Sequence, residues 1–266
     1  MSFIEAFVLG VVQGLTEFLP VSSSGHLVLA DALLGLETPG VLVVIALHVA
    51  TLLAVCWVYR RRIGELVGGL LRADRESLVY IGLLVLASVP AAVIGIGFLD
   101  LLGGTFERPV VAATLLLVTG VIVWTLRYSA RRTGYRDQFR AIDAVGIGLA
   151  QALALLPGIS RSGSTVAMGA GLGLDPGRVA EFSFLMSVPA IGGAAILQAP
   201  ELSAAGATIG AAPLAVAFVA ALGSGVFAIR WFVSMLVQRT FHRFAYYCWA
   251  VGALYLLAAW LEPGLR

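Results

Sequence analysis

Charge is the scarcest commodity in this chain. Only 12% of its 266 residues are charged, against about 25% in a typical soluble domain. Lysine is absent, and all 17 basic residues are arginine. There are three histidines and two cysteines, Cys56 and Cys248, each inside an apolar stretch. Such a set excludes a disulfide framework and a cysteine-rich metal site, and it leaves the cysteines as packing residues. A cleavable signal peptide is not expected either, because the first residues carry Glu5 where a basic region would stand. The arginines fall in short polar loops, a pattern that suits a topology signal rather than a nucleic-acid surface.

What is present is apolar surface. Sixty per cent of the residues are hydrophobic, and mean hydropathy is +0.98. A soluble protein of this composition could not cover itself, so lipid must be the solvent for much of the chain. The length suits roughly six to ten helices at about 20 residues each. Residues 41–59, 78–99, 109–126, 178–199, 211–230 and 244–261 are apolar enough to cross. The polar breaks expected between them are 60–76, 100–108, 127–143, 200–210 and 230–243. Trp57, Trp124, Trp249 and Trp260 read as interfacial anchors.

Two further apolar regions are interrupted. Residues 3–36 are broken by Leu19-Pro20-Val21-Ser22-Ser23-Ser24-Gly25-His26, and residues 144–174 by Leu156-Pro157-Gly158-Ile159-Ser160-Arg161-Ser162-Gly163-Ser164-Thr165. Proline, glycine and serine stop one helix and start another. The pieces on either side are short for a crossing, which takes roughly 17–25 residues. Each region is therefore expected to be a re-entrant hairpin of two half-helices. A shift of 138 positions superimposes them: Gly10 on Gly148, Gln13 on Gln151, Ser22 on Ser160, Ser24 on Ser162, Gly25 on Gly163, and Leu34-Gly35-Leu36 on Leu172-Gly173-Leu174. Apolar composition does not explain the Ser-x-Ser-Gly match.

The expectation is a single all-α polytopic membrane domain over 1–266. It is built from repeats of approximately 1–138 and 139–266, with two re-entrant helical hairpins and about six full transmembrane helices. A re-entrant hairpin returns to the side it entered, so the three spans of each repeat make an odd number of crossings and the repeats should be inverted. The arginine-rich loops after the first, third and fifth spans all fall on one side, taken as cytoplasmic. Both termini are then external, and the first hairpin enters from the external face.

Polar groups at membrane depth need a reason. Gln13 and Glu17, four apart, share a helix face. Ser22 and Ser160 sit where caps would start half-helices whose free N–H groups and positive dipole ends aim at an anion. Arg161 adds a donor fork that suits phosphate. Glu17 would repel an anion unless it holds a divalent metal or accepts a proton. His26 suits a base or nucleophile near neutral pH. A carboxylate, an imidazole, hydroxyls and an arginine together favour phosphoryl transfer over transport. Transport or flipping of a lipid phosphate or other anion is the competing function, motivated by the repeat. His48, mid-span, and His242, in an arginine-rich loop, read as structural or interfacial.

The segment Gln13-Gly14-Leu15-Thr16-Glu17-Phe18-Leu19-Pro20-Val21-Ser22-Ser23-Ser24-Gly25-His26 resembles the first signature of the undecaprenyl-diphosphatase (bacitracin-resistance) family. Pro157-Gly158-Ile159-Ser160-Arg161-Ser162-Gly163-Ser164-Thr165 resembles the second, and Glu181-Phe182-Ser183-Phe184-Leu185 extends the likeness. The resemblance implies an enzyme of the plasma membrane with its active site open to the external face. It would remove the terminal phosphate of a polyprenyl diphosphate, recycling the lipid carrier of cell-wall polymer synthesis. It also implies a divalent cation, Mg²⁺ or Ca²⁺, at Glu17 with Gln13. Many members carry glutamate at the latter position, so one charge is missing here. Glu17, His26, Ser23 and Arg161 become catalytic candidates, with base and nucleophile open between His26 and Ser23. Ser22, Ser160, Thr165 and Gln13 become the substrate-binding set. The expected partners are the lipid substrate, the membrane and, as an option, a second copy in a homodimer; nucleic acid is not expected.

Overall fold

The computed structural model describes residues 1–34, 41–98, 104–105, 108–129, 134–204 and 210–265. All regular structure among them is helical apart from one isolated bridge between Arg136 and Leu174. Parts of the expected breaks 100–108, 127–143 and 200–210, and the Gly35-Leu36 end of the repeat match, lie outside the described residues.

The first interrupted region is a pair of helices, α1 (Phe3–Phe18) and α2 (Ser23–Leu34). Helix α1 starts in a capping box: Glu5 N donates to Ser2 Oγ at 3.2 Å, and Ser2 N donates to Glu5 Oε2 at 2.9 Å. It stops where Leu19 turns extended ahead of Pro20. The apolar helices α3 (Val41–Val58), α5 (Arg75–Gly97) and α6 (Pro109–Ser129) follow, with α4 (Arg60–Leu71) between the first two. The second interrupted region is likewise a pair, α7 (Ala141–Leu153) and α8 (Arg161–Gly171), succeeded by α9 (Pro176–Ala204), α10 (Ala211–Val237) and α11 (Phe244–Leu261).

Each of the six expected apolar segments is therefore a helix. Among the described residues four helices (α5, α6, α10 and α11 with its preceding turn) are long and apolar enough to cross a membrane, or five if α3 and α4 make one bent span. Two boundaries differ from expectation. Residues 60–76, expected as a polar break, contain α4, bent 77° from α3. Its three leading arginines obscure a helical period in which Leu66 and Gly69 are buried, Gly69 against Ser77 of α5. Arg62 of α4 lies over the Tyr80 ring at 4.8 Å and within 3.2 Å of Glu181. The break at 200–210 begins late, because α9 runs through Pro200 to Ala204.

Glycines let helices approach closely. A Cβ on Gly10 would collide with the Ala217 carbonyl, which packs α1 on α10; one on Gly148 would collide with the Ala87 carbonyl, which packs α7 on α5. Trp249, expected as an anchor, instead presses on Gly120 and donates its indole N–H to Leu117 O at 3.2 Å. Trp57 and Trp260 are exposed. The loop before α7 is tied by a fork: Arg136 Nη2 and Nη1 reach the two Asp143 oxygens at 2.9 and 3.2 Å. Gly148→Ala is expected to cost about 1–3 kcal/mol through overpacking, lowering the thermal midpoint in detergent. Gly82→Ala, with open space around the added methyl, should not.

Candidate active site

The two broken regions meet face to face. Ser22, at the start of α2, adopts a left-handed backbone with φ +64, a conformation that costs a non-glycine residue about 1–3 kcal/mol. Four bonds hold it there. Its Oγ accepts from Gly25 N at 3.3 Å and, across the interface, from Gly158 N at 3.1 Å. Its carbonyl accepts from His26 N at 3.1 Å and from His26 Nδ1 at 2.8 Å. On the opposite side Ser160 caps α8, accepting from Gly163 N at 3.2 Å. Ser162 Oγ donates back to Leu19 O at 3.3 Å. Glycine is required at 158: φ is +97, and a Cβ would meet both the left-handed penalty and the Ala112 carbonyl. A Cβ on Gly25 would lie 2.8 Å from Gly158 Cα.

Thr119 of α6 anchors the second loop at two points. Its hydroxyl donates to Gly158 O at 2.7 Å and accepts from Ser160 N at 3.0 Å. The sequence gives no sign of this role, because a lone threonine in an apolar span names no partner.

Glu17, in the last turn of α1, is the hub. Its Oε1 accepts from Arg161 Nη2 at 3.0 Å, and its Oε2 accepts from Ser23 Oγ at 2.9 Å and Gln13 Nε2 at 3.2 Å. The ion pair is well shielded, with side chains 15% exposed for Arg161 and 8% for Glu17. Shielding makes the attraction stronger than at a surface and makes loss of either partner costly. The second terminal nitrogen, Arg161 Nη1, is buried and has no partner among the described residues. It is a donor available to an anion.

These groups line a cavity of about 280 Å³. Its polar wall includes Glu17, Ser22, Ser23, Ser24, Ser160 and Arg161, and its apolar wall includes Val44, Ile45, Leu155, Ile159 and Ile191. The candidates divide accordingly. Glu17, Ser22, Ser23, Ser160 and Arg161 come together at the cavity. Gln13 is 2% exposed, does not line it, and acts through Glu17. Thr165 is turned into the packing, donating to Arg161 O at 2.8 Å and bonding Ser183 Oγ at 2.7 Å. Assigning it to the phosphates gives way to a supporting place, one turn into the helix that carries Arg161. His26 also lies off the cavity wall: Nδ1 is held by Ser22 O, and Nε2 is 2.9 Å from Tyr247 Oη, the two rings stacked at 8°. His48, expected to be structural, lines the cavity. A helical register ties it to Val44, which lines the cavity as well, but only the fold brings α3 beside the two loops.

Known proteins with this sequence pattern are numerous. The profile of the family described as bacitracin resistance protein BacA matches residues 6–254. A protein of Desulfatibacillum aliphaticivorans named undecaprenyl-diphosphatase is 39% identical over 275 residues, covering 97% of this chain and 99% of its own. One of the same name from Desulfosudis oleivorans is 42% identical, covering 96% and 98%. A third, from Rubrobacter xylanophilus, is 40% identical, covering 96% and 97%. A match of this extent, taken with two loops that close on one Glu17–Arg161 pair, places the chain in the bacitracin resistance protein BacA family.

Proposed function

We propose that the chain is an integral membrane phosphatase that hydrolyses undecaprenyl diphosphate to undecaprenyl phosphate and inorganic phosphate. One observation carries the reading. The Glu17 carboxylate holds the Ser23 hydroxyl and the Arg161 guanidinium together in a cavity with one polar and one apolar wall. The polar wall suits a diphosphate, and the apolar wall suits the first isoprene units. Relatives named as phosphatases favour hydrolysis over transport without chemistry.

In this reading Arg161 Nη1 takes the terminal phosphate while Nη2 stays on Glu17. Ser23 Oγ attacks the terminal phosphorus and its proton passes to Glu17 Oε2, which already accepts it. The bond from phosphorus to the bridging oxygen breaks, and undecaprenyl phosphate leaves with the electron pair. The phosphoseryl group is then hydrolysed. Ser22 and Ser160 fix the loops rather than perform chemistry. Gln13 and the His26–Tyr247 pair position Glu17 and Ser22.

A divalent cation fits the donor set in one form. No group of three His, Cys, Asp or Glu residues capable of holding a metal exists among the described residues. One carboxylate with substrate oxygens is, however, a common arrangement for Mg²⁺. Glu17, with the diphosphate's own oxygens, would hold the ion, and the Gln13 amide, off the cavity wall, would steady that carboxylate. When bound it neutralises charge on the phosphates. Chelator should therefore abolish release, added Mg²⁺ or Ca²⁺ should restore it, and protein without substrate should retain little metal after gel filtration.

The same proposal includes inverted repeats of approximately 1–138 and 139–266, six full crossings, and a site open to the external face. Supporting it, each half's first helix packs on the other half's long helix, α1 on α10 and α7 on α5, with Gly10 and Gly148 against facing carbonyls. The test of function is direct: purified protein in detergent, given undecaprenyl diphosphate and Mg²⁺, releases phosphate. No release above a boiled control would refute it.

A further inference from the structure

The reaction moves two protons inside the cavity, and the Glu17 carboxylate is committed to the first. Both of its oxygens already accept bonds, Oε1 from Arg161 and Oε2 from Ser23 and Gln13. Once it has taken the Ser23 proton it has no basicity left for the water that must cleave the phosphoseryl bond. A second base is required. His26 does not supply it: both ring nitrogens are engaged away from the cavity wall, by Ser22 O and Tyr247 Oη.

His48 meets the requirement. Its Nδ1 is 2.8 Å from Val44 O, one turn back on α3. A carbonyl only accepts, so Nδ1 carries the hydrogen and the lone pair lies on Nε2. Nε2 makes no hydrogen bond among the described residues, and His48 lines the cavity with Glu17, Ser23 and Arg161. Thr51, at 0% exposure, donates to His48 O at 2.9 Å and steadies that turn of α3. The cavity, about 280 Å³, is the space of roughly nine waters at ~30 Å³ each. That leaves room for a terminal phosphate and an attacking water beside His48 on the same wall.

We infer that His48 is a catalytic residue, the general base that activates water for hydrolysis of the phosphorylated Ser23. The inference rests on the phosphatase reading and assigns its second half-reaction. Water oxygen forms the new bond to phosphorus, and its proton goes to His48 Nε2. The bond from phosphorus to Ser23 Oγ breaks with its electron pair on Oγ, which recovers from Glu17 the proton given up in the first step. Inorganic phosphate departs, and the imidazolium returns its proton to water.

The test uses undecaprenyl diphosphate labelled in the terminal phosphate, with acid quench and steady-state turnover measured on wild type, His48→Gln, His48→Ala and Ser23→Ala. Steady-state turnover of both His48 variants should fall about 100-fold or more, within the range for loss of a general base. The first turnover should persist: one equivalent of undecaprenyl phosphate is released in a burst, and the label stays on Ser23. Imidazole added to His48→Ala should raise turnover and discharge the label. Turnover of His48→Gln within threefold of wild type, with Ser23→Ala inactive, would overturn the role of His48 alone. Loss of the burst together with turnover in folded His48→Gln would overturn it too, since the residue would then act before the phosphoseryl group forms. Phosphate release by Ser23→Ala would overturn the Ser23 assignment and the inference with it.

Discussion

Arg161→Ala should lose about a thousandfold in kcat/KM for undecaprenyl diphosphate. Arginines that stabilise a transferring phosphoryl group contribute about 10³–10⁵ in rate, and a single donor to a developing oxyanion contributes about 10²–10³. Arg161 combines the two situations. Its Nη2 is fixed on Glu17 at 3.0 Å, and its Nη1 is buried without a protein partner among the described residues. The fork is therefore aimed before substrate arrives, and little ordering remains to be done. Arg161→Lys keeps the charge but not the fork, because one ammonium cannot hold Glu17 and a phosphate in the same planar arrangement. Its activity should fall between wild type and alanine. A purified Arg161→Ala that hydrolyses the lipid at the wild-type rate would remove the arginine from the site.

Glu17→Gln should be comparably severe, losing roughly 10²- to 10⁴-fold as an acceptor for the Ser23 proton is removed. The defect should appear mainly in kcat, since the amide can still bond Ser23 and the phosphate contacts of Arg161 survive. Stability should move as well. Glu17 is 8% exposed and Arg161 15%, so a neutral residue at 17 leaves a shielded guanidinium without a counter-ion. Breaking such a pair costs about 3–5 kcal/mol, which a thermal melt in detergent would resolve. Removing both charges should return part of that stability and none of the activity. A Glu17→Gln variant with normal kcat would mean that another group takes the serine proton.

How much of this was readable beforehand depends on the kind of signal. Long apolar runs announced the helices at 41–58 and 244–261 almost to the residue and that at 75–97 to within three, because lipid exposure demands continuous apolar sequence. The two broken regions were equally visible, as proline and glycine cannot hide inside a helix. Helix α4 was not: Arg60, Arg61 and Arg62 lower its hydropathy, and only the buried Leu66 and Gly69 betray its inner face. The site shows the same division. Glu17, Ser22, Ser23, Ser160 and Arg161 stood out because polar groups are rare in such a chain, and they do converge. His26 and Thr165 stood out for the same reason, yet the cavity excludes them. Sequence marks a polar residue at depth but not which way its helix is rotated, and one side faces the cavity while the other faces Tyr247 or Ser183. His48 and Thr119 were invisible as site residues, since each is a single polar group in an apolar run whose partners are more than 30 residues away or across the bundle.

The two loops bond to each other as well as within themselves. Three bonds cross from loop to loop: Gly158 N to Ser22 Oγ, Ser162 Oγ to Leu19 O, and Arg161 Nη2 to Glu17 Oε1. Either loop alone would leave Leu19 O and Gly158 N without these partners, and a buried group left unpaired costs about 1–3 kcal/mol. The chemistry occupies what their mutual bonding leaves over, namely Arg161 Nη1 and the Ser23 hydroxyl on Glu17.

The claim that residues 144 positions apart form one working unit is tested most directly by a double-mutant cycle in kcat/KM for undecaprenyl diphosphate, using Glu17→Gln, Arg161→Gln and the double variant. A single unit predicts that the double variant is no slower than the slower single variant, so that the two losses do not multiply. If the losses multiply, Glu17 and Arg161 act independently, and the two loops do not constitute one active site.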